Sequence, residues 1–97
     1  MKDFSKYSAI IIGAGDATGS ALTKKFAKEG YQVCPVRRPR NIDKLEKLCR
    51  EINDSGGSAK AFGIDARDED SIVSLFKEVE ETIAPIDVVI FNPGANV

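Results

Sequence analysis

Four mostly apolar runs, "SAIII" (8–12), "YQVCPV" (31–36), "SAKAFGI" (58–64) and "IDVVIFN" (86–92), recur about every 25 residues with a helical pattern in each gap. Continuous apolar runs suit strands covered on both faces, and strands alternating with helices suit a parallel sheet. The first helix is expected from Thr18 to Glu29, with Ala21, Leu22, Phe26 and Ala27 on its buried face and Gly30 as its C-cap. Asn41 can cap a second helix, in which Ile42, Leu45, Leu48, Cys49 and Ile52 form one stripe and Glu46 pairs with Arg50 before "DSGG" (54–57) ends it. Asp68, Glu69 and Asp70 complement the dipole at the start of a third helix, whose buried face is Ile72, Leu75, Phe76, Val79 and Ile83 and which Pro85 stops. The order is β-α-β-α-β-α-β. Pro35 disagrees locally, because it lacks an N–H in a strand that should lie between two others; it is expected where pairing has ended or bulged.

Ninety-seven residues allow one domain, which at this size buries only roughly two-thirds of its unfolded surface. A net charge of -1 and a pI near 5.4 leave no basic field for nucleic acid. No apolar run approaches the roughly 18 residues of a membrane span, and the first ten residues do not read as a secretory signal. Two cysteines, Cys34 and Cys49, make no disulfide framework and suit reduced thiols in a cytoplasmic protein. Histidine is absent, which removes the commonest general base and metal ligand; no metal site is expected.

The chemistry concentrates in "IIGAGDATGSAL" (11–22), where an apolar strand runs through glycines into a helix. Gly13 lets the chain turn sharply, Gly15 lets backbone approach a phosphate, and Gly19 lets the helix pack on the sheet, while first-turn N–H groups face the anion. Asp16 and Thr18 can cap the helix or touch a diphosphate. In such a site an acidic residue after the second strand reads the ribose hydroxyls. Here that place, 24 residues after Gly13, holds "VRRPR", and the forks of Arg37 and Arg38, with Arg40 close by, suit a phosphate dianion. NADP(H) is therefore expected in preference to NAD. The same arginines disfavour an S-adenosylmethionine methyltransferase, which wants a carboxylate there.

"IGAGDATGSAL" resembles the G-x-x-x-G-x-G pattern of the short-chain dehydrogenase/reductase family, with Ala17 in the middle glycine position. The resemblance covers essentially the whole chain but only the amino-terminal part of a typical member. Right-handed crossovers and the glycine-rich first turn make the expected parallel strand order 3-2-1-4, half of a doubly wound sheet, and the resemblance implies the same Rossmann-type α/β/α fold. It implies that Asp65, beside Ala66 in "GIDARDEDSI", hydrogen-bonds the adenine amino group, and it aligns Asn92 and Gly94 in "VVIFNPGANV" with the family's Asn-Asn-Ala-Gly motif, from which Phe91 and Pro93 depart. The family transfers hydride between the nicotinamide and a small carbonyl or alcohol substrate through a serine and a Tyr-x-x-x-Lys pair that lie beyond the fourth strand. No catalytic residue is assigned here: Tyr7 and Tyr31 are followed four places on by Ile11 and Pro35. The alternative is a non-catalytic module that senses nucleotide with the same pocket. The fourth strand is expected at the sheet edge although its composition suits cover on both faces. The 97 residues are accordingly read as a piece of a longer reductase, or as a protein whose edge a second copy closes.

Overall fold

The structure, a computed structural model, describes residues 3–14 and 17–92, Asn41 by its backbone alone, so the cap expected of that side chain lies outside the description. Strand β1 (Ser8–Ile12) leads to helix α1 (Ala17–Glu29), and β2 (Gln32–Arg37) leads through a 3-10 turn to α2 (Ile42–Asp54). Two short strands, β3 (Ser58–Ala59) and β4 (Phe62–Gly63), precede α3 (Glu69–Thr82) and β5 (Ile86–Phe91). Every pairing is parallel, in the order β3-β2-β1-β5 with β4 also beside β2. This is the expected 3-2-1-4 arrangement with its third strand in two pieces.

Pro35 accounts for the break. Gln32 N–H donates to Tyr7 O, and Val36 O accepts from Gly13 and Ala14, so the even-numbered residues of β2 turn their backbone toward β1. Val33 O accepts from Lys60 N–H and Arg37 O from Ile64 N–H, so the odd-numbered ones face the other edge. Pro35 shares that parity, and the N–H it lacks belongs opposite Lys60 and Ala61, where β3 has ended and β4 has not begun. Pairing with β1 continues undisturbed, Pro35 lying opposite Ile11.

The period of two along β1 sorts the core. Ala9 and Ile11 join Val33, Leu45, Leu48 and Ile52 on the α1–α2 face; Ile10 and Ile12 join Cys34, Val36, Leu75 and Val79 on the α3 face. The apolar stripes expected of α2 and α3 are the ones that pack, with Asp68 capping α3 by accepting from Asp70 and Ser71 N–H. The stripe expected of α1 holds in its second half, where Phe26 and Ala27 pack on the core, and shifts in its first: Ala21 is exposed and Leu22 half-buried, while Gly19 and Thr23 are buried. Close approach to the sheet selects the smallest residue, since a Cβ on Gly19 would lie 2.6 Å from Ala14 Cα. Thr23 tolerates burial because its hydroxyl donates to Gly19 O at 2.8 Å. Glu46 and Arg50 form no ion pair among the described residues; Glu51 instead comes within 3.9 Å of Lys24 on α1.

β5 is the sheet edge and carries a bulge. Ser8 pairs with Ile86 but Ala9 with Val88, leaving Asp87 as the extra residue. Beyond it Val88 and Ile90 pack on the α1–α2 face, whereas Val89 and Phe91 are 46% and 62% exposed. Cover on both faces, expected from composition, is found on one.

Docking of α3 can be checked at two positions two residues apart. Leu75 is 1% exposed and Val73 62%. Leu75→Ala should cost about 2–5 kcal/mol in urea unfolding and Val73→Ala under about 0.5 kcal/mol; equal losses would contradict this packing.

Candidate functional site

A parallel sheet brings all its carboxyl ends to one edge, and here that edge collects Gly13 and Ala14 after β1, Arg37 and Arg38 at the end of β2, Asp65 after β4 and Asn92 after β5. Gly13 has φ +83°, and a Cβ there would collide with the carbonyl of Asn92. Asn92 closes the turn from the other side: its N–H donates to Ile12 O at 2.8 Å and its Nδ2 to Gly13 O at 3.2 Å. Gly13 and Ala14 N–H both donate to Val36 O, at 3.0 and 3.1 Å, so these two amides serve the protein itself. Amides that can meet an anion begin further along, toward the start of α1, where Ala17 and Thr18 are exposed and a helix leaves its first N–H groups without intrahelical acceptors. Gly15, Asp16 and Gly94 lie outside the described residues.

The arginines differ from one another. Arg37 is half-buried, and its Nη1 is buried without a hydrogen-bond partner among the described residues, whereas Arg38 and Arg40 are exposed. A buried donor left unmade costs about 1–3 kcal/mol, more when charged, so Nη1 invites an acceptor. Asp65 accepts three bonds from one residue: Arg67 N–H at 2.9 Å and Nε at 3.1 Å on Oδ1, and Nη2 at 2.9 Å on Oδ2. The Arg67 side chain, then its N–H, and also the charges of Arg67 and Arg38, pull the Asp65 carboxyl down to about 2, so it is ionised throughout the neutral range. Ala66 packs, half-buried, against the α3-face core. Arg67 was not among the residues expected from the sequence. Its signal was the "DAR" spacing, an Asx turn in which the residue two places on supplies both an N–H and a cation.

Three further groups hold their protons more tightly than usual. Tyr31 lies at the opposite, amino end of β2; its hydroxyl donates to Asp87 at 2.6 Å, and that bond first, then burial, pushes it up to about 12. Burial pushes the Cys34 and Cys49 thiols up to about 12 and about 11, which leaves little thiolate near neutral pH. No helix among the described residues is long and apolar enough to cross a membrane.

The family model described as short chain dehydrogenase matches residues 7–97. Sorbitol-6-phosphate 2-dehydrogenase of Escherichia coli is 34% identical over 88 residues, 89% of this chain and 33% of that protein. The chain thus spans about a third of the length of this curated relative. A crystal structure of a short-chain dehydrogenase from Rhodopseudomonas palustris superposes with TM-score 0.86 at 42% identity, covering 95% of this chain and 42% of the other. A metagenomic short-chain oxidoreductase in complex with NADP superposes with TM-score 0.85 at 28% identity, covering 97% and 42%.

The turn can be tested against a second glycine. Gly13 and Gly56 both have positive φ, but a Cβ on Gly56 meets nothing within 4 Å. Gly56→Ala should cost only the left-handed backbone penalty of about 1–2 kcal/mol. Gly13→Ala should cost distinctly more in the same urea titration, because Asn92 must also move; equal costs would contradict the closed turn.

Proposed function

The chain belongs to the short-chain dehydrogenase family, and we propose that it forms the NADP(H)-binding portion of an oxidoreductase acting between a carbonyl and an alcohol. The observation that carries the choice of cofactor is the orphaned Nη1 of Arg37 at the end of β2. A site built for the ribose hydroxyls of NAD would present a carboxylate there; this one presents a buried guanidinium nitrogen with Arg38 beside it. A 2'-phosphate gives both a charge-assisted acceptor. The relative crystallised with NADP lends the same support.

The residues of this chain divide the work. Gly13 and Gly19 hold the turn close to the sheet while Asn92 ties it shut, and the diphosphate falls to amides beyond Ala14, with Gly15, Asp16, Ala17 and the Thr18 hydroxyl as its partners. Asp65 receives the adenine amino group, with Ala66 next to it in the chain, and Gly94 joins Asn92 as a cofactor-site residue. When bound, the nicotinamide supplies the hydride; the acid that would donate the proton, and the residues that choose the substrate, are assigned to no position here. Exposed Val89 and Phe91 support the companion reading that more protein, from the same product or a second copy, lies against this edge.

Calorimetric titration with NADPH and NADH tests the reading. The chain should bind NADPH more tightly, and Arg37→Asp combined with Arg38→Ala should shift the affinity ratio toward NADH by at least about tenfold, given about 1.5–3 kcal/mol per charged hydrogen bond lost. An unchanged ratio would contradict the assignment.

A further inference from the structure

We propose that Arg67 is a specificity-determining residue for the 2'-phosphate: it neutralises Asp65, the carboxylate that would otherwise repel that group, and leaves Asp65 one acceptor position for adenine. The inference rests on the NADP(H) reading above. β4 pairs with β2 at Val36↔Phe62 and Arg37↔Gly63, and Ile64 N–H donates to Arg37 O at 2.8 Å, so Asp65 emerges beside the end of β2 where the arginines stand. Arg38 is close enough to act electrostatically on the Asp65 carboxylate. A phosphate dianion brought to Arg37 and Arg38 therefore comes near a full negative charge, and only a partner cation prevents the resulting repulsion.

Arg67 supplies that cation with unusual economy of chain. Its guanidinium is 73% exposed, and an exposed ion pair is ordinarily worth little. Here the backbone N–H of the same residue already binds Oδ1, which fixes the carboxylate two residues away, so the two further bonds from Nε and Nη2 order little additional chain. The pair is bidentate, a geometry that lysine cannot reproduce. A carboxylate has about four acceptor positions. Two bonds fall on Oδ1 and one on Oδ2, so a single position on Oδ2 stays open to an amino group. With Asp65 and Arg67 cancelling, Arg37 and Arg38 stand as two uncompensated positive charges, matched to a phosphate carrying close to two negative ones at neutral pH.

Adenosine fragments probe this directly, because 2',5'-ADP and 5'-AMP differ by the 2'-phosphate alone. Titrated into the 97-residue chain, 2',5'-ADP should bind more tightly than 5'-AMP. Arg67→Ala should cut that preference about tenfold while leaving 5'-AMP affinity within about twofold. Asp65→Asn should enlarge the preference, and Asp65→Asn with Arg67→Ala should restore it to near the parent value, an outcome that a merely structural role for Arg67 would not produce. Circular dichroism melts of each variant establish that it is folded. A preference unchanged by Arg67→Ala, an equal loss for both ligands, or failure of the double variant to recover it would overturn the proposal while leaving the NADP(H) reading standing. A parent chain that shows no preference for 2',5'-ADP would remove both.

Discussion

One carbonyl organises the carboxyl edge of the sheet. Val36 O accepts from both Gly13 and Ala14, which bends the chain off β1 directly above β2 and fixes the direction in which α1 starts. The bend needs a positive φ at Gly13, and it leaves no room for a side chain because Asn92 arrives from β5 and bonds Ile12 and Gly13 in turn. Gly19 then admits the helix to within contact of Ala14. These contacts join β1, β2, β5 and α1 at one point. An anion placed at the start of α1 consequently meets a backbone already held, and ordering it costs the ligand little.

The same stitching changes how the glycine motif works. The conformational freedom of Gly13 and Gly19 is spent on protein against protein, and the amides of Gly13 and Ala14 are consumed by Val36. In the proposed site the phosphates are therefore left to amides of the residues that follow. Arg67 and Arg38 act on the Asp65 carboxylate where β2 and β4 end, and Arg37 closes β2 beside them, so a chain of net charge -1 gathers three arginines at one edge of its sheet.

Strand order was legible from right-handed crossovers and the glycine-rich first turn, and the helical stripes of α2 and α3 and the Asp68 start of α3 because each rests on periodicity or on a local cap. The inner face of α1 was legible only at Phe26 and Ala27. Hydrophobicity points to Leu22 and Ala21, but separation between helix and sheet decides the matter, and it favours Gly19 with a self-satisfied Thr23. Pro35 was visibly anomalous in the sequence; which edge of β2 it interrupts follows only from the parity of the ladder set by Val33 and Val36. The Asp87 bulge left no trace in composition, yet it decides that Ile90 turns inward and Phe91 outward. Among the candidate site residues, Arg37 was singled out by its distance along the chain, whereas Arg67 was passed over because a loop cation gains meaning only once its carboxylate partner is seen.

The buried, unpartnered Nη1 of Arg37 is proposed to hold a phosphoryl oxygen. A crystal structure of the chain soaked with NADP+ tests this assignment. A 2'-phosphate oxygen is expected within about 2.7–3.1 Å of Arg37 Nη1. A bound nucleotide whose 2'-phosphate points to solvent, with that nitrogen still unengaged, would contradict it.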